Sequence, residues 1–276
     1  MEPQREPQMQ PQGEPRAGLQ AYPSTSGMPS RRTLGHEVLL VLALSLGASA
    51  IYSIIDIVAA LTAAVPLSEQ TSTLNASRSE RPYLDLTLQL LRIGLNVVPA
   101  LLAIHFLSRT NPPALRSIGL DGRRPGWDMS VGTGLALLIG VPGLLFYLLS
   151  RELGINTTIV ATGLPEQWWQ YPVLIAAALQ NAVLEEVIVV GYLLIRLRQR
   201  GWSPWAAIVA SSVLRGLYHL YQGFGGFIGN LVMGLVFGWL YQRTGRIAPL
   251  VIAHTLLDVV AFIGYALLVD RVGFLS

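Results

Sequence analysis

The sequence predicts an all-α fold, a polytopic membrane helix bundle of about seven transmembrane helices. Three observations carry that prediction. Of the 276 residues, 52% are apolar and only 13% are charged, whereas a soluble domain carries about 25% charged residues. The deficit is uneven: the first 36 residues hold seven charges, and the other 240 share 28. Seven stretches qualify, or nearly so, as the roughly 20 apolar residues that cross a bilayer core as helix. This composition excludes a water-soluble enzyme, a disordered chain and a coiled coil. There is no cysteine, which excludes disulfides, iron–sulfur clusters and thiolate zinc sites.

The elements follow in order. Residues 1–36 read as a disordered, Pro/Gln-rich cytoplasmic tail, with six of the 17 prolines and five glutamines before residue 34. No apolar run begins before Val38, so the tail is not a secretory signal peptide. Residues 37–170 hold the N-terminal transmembrane helices, at 38–65, 84–107 and 129–150. Residues 171–269 form the core, with spans at 171–195, 205–221, 224–241 and 249–269, and 270–276 are a short C-terminal tail. The fifth and sixth spans are short. They are rich in glycine (Gly223, Gly225, Gly226, Gly229, Gly234, Gly238), which suits close helix packing. The segment 166–171, with Trp168 and Trp169, reads as an aromatic anchor at the outer interface.

All 19 basic residues are arginine, the bias of a GC-rich bacterial genome, which points to a bacterial plasma membrane. With the N-terminus cytoplasmic, thirteen arginines fall in inner segments and four in outer ones, while Arg92 and Arg215 lie within spans. That bias obeys the positive-inside rule. The arginines are scattered rather than gathered on one face, so nucleic acid is not a partner. The lipid bilayer is.

In so apolar a chain the informative residues are the ionisable ones inside spans, each costing about 2.5–3.5 kcal/mol on insertion scales. They are Asp56, Arg92, Glu185, Glu186, Arg215, His219, His254 and Asp258. Asp56 and Arg92, in the first two spans, are expected to form a structural pair. Two adjacent ionised carboxylates in lipid are very costly, so at least one of Glu185 and Glu186 must be protonated, paired or wet. On a helix they point about 100° apart, and Glu185 shares its face with Asn181. His254 and Asp258 share a face at i,i+4, and Arg215 precedes His219 by the same interval. A lone intramembrane histidine is often a hydrogen-bonded core residue. A glutamate pair, a histidine and a His-x-x-x-Asp on three nearby helices make that reading weaker. Such a set could bind a divalent cation or polarise a water. No His-Glu-x-x-His helix exists, which excludes a zincin-type site.

Residues 171–262 resemble the CPBP family, the CAAX-protease and bacteriocin-processing intramembrane proteases. That family's pattern is Glu-Glu-x-x-x-Arg-Gly, then Phe-x-x-x-His, a glycine-rich span, and His-x-x-x-Asn/Asp. This chain has Glu185-Glu186 with Gly191, His219, the run GLVFGWLYQRTGRIAPLVIAH, and His254 with Asp258. The resemblance implies an intramembrane endopeptidase that hydrolyses a peptide bond of a membrane-associated protein or peptide. Glu185 would activate the water, with Glu186 beside it. His219 and His254 would complete the site, and Asp258 would orient or stabilise an oxyanion. A divalent metal, zinc first, would sit on His219, His254 and Glu185, unless the glutamate acts without metal. Substrate would arrive from the cytoplasmic side between the fourth, fifth and seventh spans.

Two positions depart from the pattern. Val190 stands where the family has arginine, and Arg215 where it has phenylalanine, so Arg215 is expected to supply Glu186 with the missing charge from the next span. The alternative is a non-catalytic CPBP-fold membrane protein acting in bacteriocin self-immunity or scaffolding. A coupled transporter is a third class, but no inverted repeat is visible. Depth poses a constraint. At 1.5 Å per residue from the inner ends, His254 lies about 8 Å deep, Glu185 about 15 Å and His219 about 21 Å. Convergence therefore requires tilt, or a fifth helix that begins inside the membrane near Pro204.

Overall fold

The computed structural model describes residues 29–268. Helix α1 (Arg31–Ala43) opens at Ser30, whose hydroxyl accepts the Thr33 N–H, the usual way of satisfying a first-turn donor. The helix thus starts seven residues before the apolar run, inside the segment assigned to the tail. The rest of that tail, up to residue 28, and the C-terminal 270–276 lie outside the described residues. Helix α2 (Leu46–Leu61) continues at 54° to α1. At the break the Ser45 hydroxyl donates to the Val41 carbonyl at 2.6 Å, meeting an acceptor that the ended helix leaves open.

Next come strand β1 (Thr71–Thr73), α3 (Pro82–Ser108), the single turn α4 (Ala114–Ser117), α5 (Pro125–Glu152) and strand β2 (Thr158–Val160). The two strands pair in parallel, Thr71 opposite Thr158, and so tie two connecting segments together at one end of the bundle. Helix α6 (Gln170–Glu185), a π-helical stretch (Glu186–Tyr192) and α7 (Leu193–Gln199) form one continuous 30-residue rod. Helices α8 (Pro204–Tyr218), α9 (Phe224–Thr244) and α10 (Ala248–Leu268) complete the described chain.

Among the described residues, five helices are long and apolar enough to cross a membrane, or six spans if the bent α1–α2 pair counts as one. This is a multi-pass membrane protein. The expected fifth span, 205–221, falls short because α8 has only 15 residues, about 22 Å at the α-helical rise. Beyond α8, Gly223 adopts φ +109°, and a Cβ there would lie 2.6 Å from the Asn156 Cα, so the 153–157 segment folds inward onto a site only glycine can occupy. Where α9 returns along α8, a Cβ on Gly234 would meet Ser212 at 2.9 Å, the close approach that the glycine run anticipates.

The central rod 170–199 is the most enclosed span: two-thirds of its apolar window is buried, against a third or less in the other four. Around it, α3 and α10 pack on α6, α5 packs on α10, and α8 lies between α9 and α2. Because α2 lies against α8 and not against α3, the expected Asp56–Arg92 pair does not form. Arg92 instead faces the Asn75 side chain at 3.4 Å. The aromatic anchor also divides: Trp168 is exposed and Trp169 is buried in the core.

The start of α10 is tied to the centre of the bundle. The Ile247 N–H donates to the Ile118 carbonyl at 2.9 Å. Ile118, fully buried, would touch a Cβ at Gly191, 3.3 Å away, on the central rod. Helix α10 therefore begins within the bundle, near the level of Gly191. Arg246 holds that junction. Its Nε and Nη2 donate to the two oxygens of Asp128 at 2.8 and 2.7 Å, and Nη2 also reaches Asp121 at 2.9 Å. The Asp128 hydrogen bonds foremost, then those to Asp121, raise the pKa of this guanidinium.

Candidate active site

Glu185 closes α6 and Glu186 opens the π-helical stretch. Four β-branched residues in a row, Val187 to Val190, disfavour regular helix. The Val189 carbonyl takes a hydrogen bond from the Ser211 hydroxyl of α8 at 2.7 Å. A π turn of this kind frequently accompanies a functional site. Here it follows directly on the two carboxylates.

The two glutamates occupy different environments. Glu186 is completely buried, and its Oε1 accepts from Arg215 Nη2 at 2.6 Å and from His254 Nδ1 at 2.7 Å. Its Oε2 is buried without a hydrogen bond. Glu185 accepts the Tyr218 hydroxyl on Oε2 at 2.7 Å. The same oxygen stands 3.5 Å from Arg215 Nη1 and 4.0 Å from His254 Nε2. Although about 100° apart on the rod, both carboxylates therefore flank one cluster. Arg215, fully buried, also lies over the Phe237 ring at 5.5 Å.

The imidazoles are oriented by their Nδ1 atoms. His254 Nδ1 must carry the proton to donate to the Glu186 carboxylate, which turns Nε2 toward Glu185 and toward Asp258 Oδ1, 3.8 Å away. His219 Nδ1 lies 3.1 Å from the Arg215 carbonyl, an acceptor, and its ring packs on Tyr218 at a centroid distance of 4.7 Å. Asn181 faces Asp258, its Nδ2 3.5 Å from Oδ2. Its partner is thus the aspartate of α10, and the same-face relation to Glu185 yields no bond.

Asn181, Glu185, Glu186, Arg215, His219, His254 and Asp258 all lie on the rod, α8 and its end, or α10, whereas Asp56 and Arg92 lie apart on α2 and α3. Ligand atoms of Glu185, Glu186 and His254 lie within 4.8 Å of one another. His219 stands outside that group, and Glu186 stands in the place that the resemblance gave to it. Tyr218 went unnoticed in the sequence. The signal available was its position beside His219 and three residues beyond Arg215, one turn along the same helix.

No curated protein and no solved structure matches the chain. Residues 167–260 match a family model, Rce1-like, described as type II CAAX prenyl endopeptidase Rce1-like. That range, about a third of the chain, contains every side chain of the cluster, and over it the chain is similar to that family of endopeptidases.

Proposed function

We propose that this protein is an intramembrane endopeptidase in which Glu185 takes the proton of a water that attacks the scissile peptide carbonyl. The observation that supports this role is the unequal use of the two glutamates. Glu186 is committed to Arg215 and to His254 Nδ1. Glu185 has only a neutral hydroxyl as hydrogen-bond donor, and its Oε1 has no hydrogen bond among the described residues. A carboxylate with one free oxygen, held by a phenol and standing 3.5 Å from the guanidinium, accepts a proton more readily than one bonded to that guanidinium at 2.6 Å.

The remaining groups divide the work. Arg215 donates to Glu186, and Glu186 fixes the ring of His254 so that Nε2 points at Glu185 and Asp258. Nε2 can then hold the water for Glu185 or pass a proton to the leaving amine. His219, whose Nδ1 proton goes to the Arg215 carbonyl, leaves Nε2 as an acceptor for a water or a substrate N–H. Asp258, steadied by Asn181, restrains His254 from the other side.

The donor set of two carboxylates and one imidazole fits a divalent cation of the zinc kind, with the unpaired Glu186 Oε2 as an acceptor in need of a partner. Glu185, Glu186 and His254 would hold it, and it would polarise the carbonyl and acidify a bound water. Arg215 already balances one carboxylate, so the same residues also support a metal-free glutamate site. The absent arginine at position 190 was the main support for a non-catalytic scaffold. With Arg215 on Glu186 that support is removed.

The test is purified protein in detergent, assayed on a peptide library with and without chelator and analysed for bound metal. Cleavage that stops with chelator and returns with zinc marks a metallopeptidase. Cleavage indifferent to chelator marks a glutamate–histidine site, and absence of cleavage across the library overturns the proposal. Within the active protein, Tyr218→Phe removes the donor on Glu185 Oε2. Turnover is expected to fall about 10- to 100-fold, the worth of one hydrogen bond to a charged group, with KM little changed. An unaltered rate would show that the phenol does not act through Glu185.

The arginine bias supports a cytoplasmic N-terminus, and the arginine-only basic composition supports a bacterial plasma membrane. The partners that follow are the lipid bilayer and a membrane-associated peptide or protein.

A further inference from the structure

Asp56 is the intramembrane carboxylate that the proposed mechanism leaves unused. It lies exposed on α2, five residues before the helix ends at Leu61. Among the described residues it has no hydrogen bond and no ion pair, a costly state for a carboxylate on an apolar helix. It opens onto a cavity of about 420 Å³, lined also by Gln70, Thr71, Ser72, Thr157 and Tyr221. Ligand sites usually measure about 300–1,000 Å³.

The cavity is a built structure. The Gln70 amide donates to the Ala60 and Val65 carbonyls at 2.9 and 2.8 Å. Thr157 donates to the Ser72 hydroxyl at 2.9 Å, and Ser72 donates to the Tyr221 carbonyl at 3.2 Å. The Tyr221 N–H in turn donates to Ser53 of α2 at 2.6 Å. Tyr221 is three residues beyond Tyr218, whose hydroxyl sits on Glu185, so the cavity adjoins the candidate active site through one turn of backbone.

One wall is a strand edge. Strand β2 accepts Leu74 N–H on Val160 and gives the Thr158 N–H to Gln70. In a parallel ladder the intervening residues point their N–H and C=O groups the other way. Thr71 and Thr73 therefore present backbone donors and acceptors away from β2, and Thr71 does so at the cavity. An extended peptide can add to such an edge. The lone aspartate beside it selects for positive charge.

We propose that this cavity is the recognition cleft of the peptidase, holding an extended peptide against the free edge of β1 with a basic side chain on Asp56. The inference rests on the peptidase reading given above. It places substrate entry at the end of the bundle that carries β1 and β2, opposite the cytoplasmic approach expected from the sequence.

The experiment separates binding from chemistry. Fluorescein-labelled nonapeptides of serine and alanine, with one central arginine, glutamate or alanine, are titrated into the Glu185→Gln protein in detergent and followed by anisotropy. The arginine probe is expected to bind about tenfold more tightly than the other two, as a charge-assisted hydrogen bond provides. Asp56→Asn should abolish that preference and Asp56→Arg should turn it toward the glutamate probe. An arginine preference that survives in Asp56→Asn overturns the proposal, as does the failure of every probe to bind. Cleavage of the same probes by the unaltered protein is measured in parallel. Asp56-dependent binding without cleavage would sink the peptidase reading and keep the cleft, whereas cleavage indifferent to Asp56 would do the reverse.

Discussion

Replacing Glu185 by glutamine is expected to abolish peptide cleavage while leaving the fold close to intact. The amide has the shape of the carboxyl, and its oxygen still accepts the Tyr218 hydroxyl. What disappears is the capacity to take a proton from water, a function typically worth about 10²- to 10⁴-fold in rate. The measurement pairs initial rates on a cleaved library peptide with the thermal midpoint in detergent. A rate within threefold of the unaltered protein, at the same midpoint, would end the assignment of Glu185 as base. The corresponding Glu186→Gln change should instead lower the midpoint, because it leaves Arg215 without its counter-charge.

The second large effect is expected from Arg215→Leu. Arg215 and Glu186 are both fully excluded from solvent at 2.6 Å. Breaking such a pair from one side strands the other charge and typically costs about 3–5 kcal/mol. Removing both members with well-packed neutral residues is often close to neutral. Arg215→Leu should therefore destabilise the protein severely, and Arg215→Leu with Glu186→Gln should recover most of the loss. Thermal midpoints for the four proteins of this cycle give the coupling directly. If the two single effects simply add in the double variant, Arg215 does not serve Glu186.

Much of this arrangement is visible in the residues themselves. Apolar run length marks the spans because a bilayer imposes one length on every helix that crosses it. The charged and histidine residues stand out because the same environment penalises them. The pairing of Arg215 with Glu186 is legible too, since a buried glutamate pair requires a cation and the resemblance shows that position 190 does not supply one. The sequence is silent where geometry depends on tertiary contact. Asp56 and Arg92 look like partners in charge, but α2 leans on α8, and only the packing order shows that. Run length gives 205–221 as a span because it cannot register the break at Tyr218 or the loop that folds in to meet Gly223. Tyr218 escapes notice because tyrosines are ordinary in apolar helices, and its task is defined only by the Glu185 oxygen 2.7 Å away. Asn181 is misdirected for a related reason: helical spacing gives its face, while the neighbour across that face belongs to α10.

The junction at Arg246 gives the bundle an unusual division of control. His254 is eight residues along α10 from a guanidinium that grips Asp128 with two bonds and Asp121 with a third. The stretch of α10 that leads to it, Ala248 to His254, is a stiff rod of about 9 Å at 1.5 Å per residue, so the imidazole's height is indexed to that grip much as a key's blade is indexed to its shoulder. Nothing in lipid sets how far the histidine reaches toward Glu186. The stop lies at the other end, in ionic bonds to the first turn of α5 and to the segment before it.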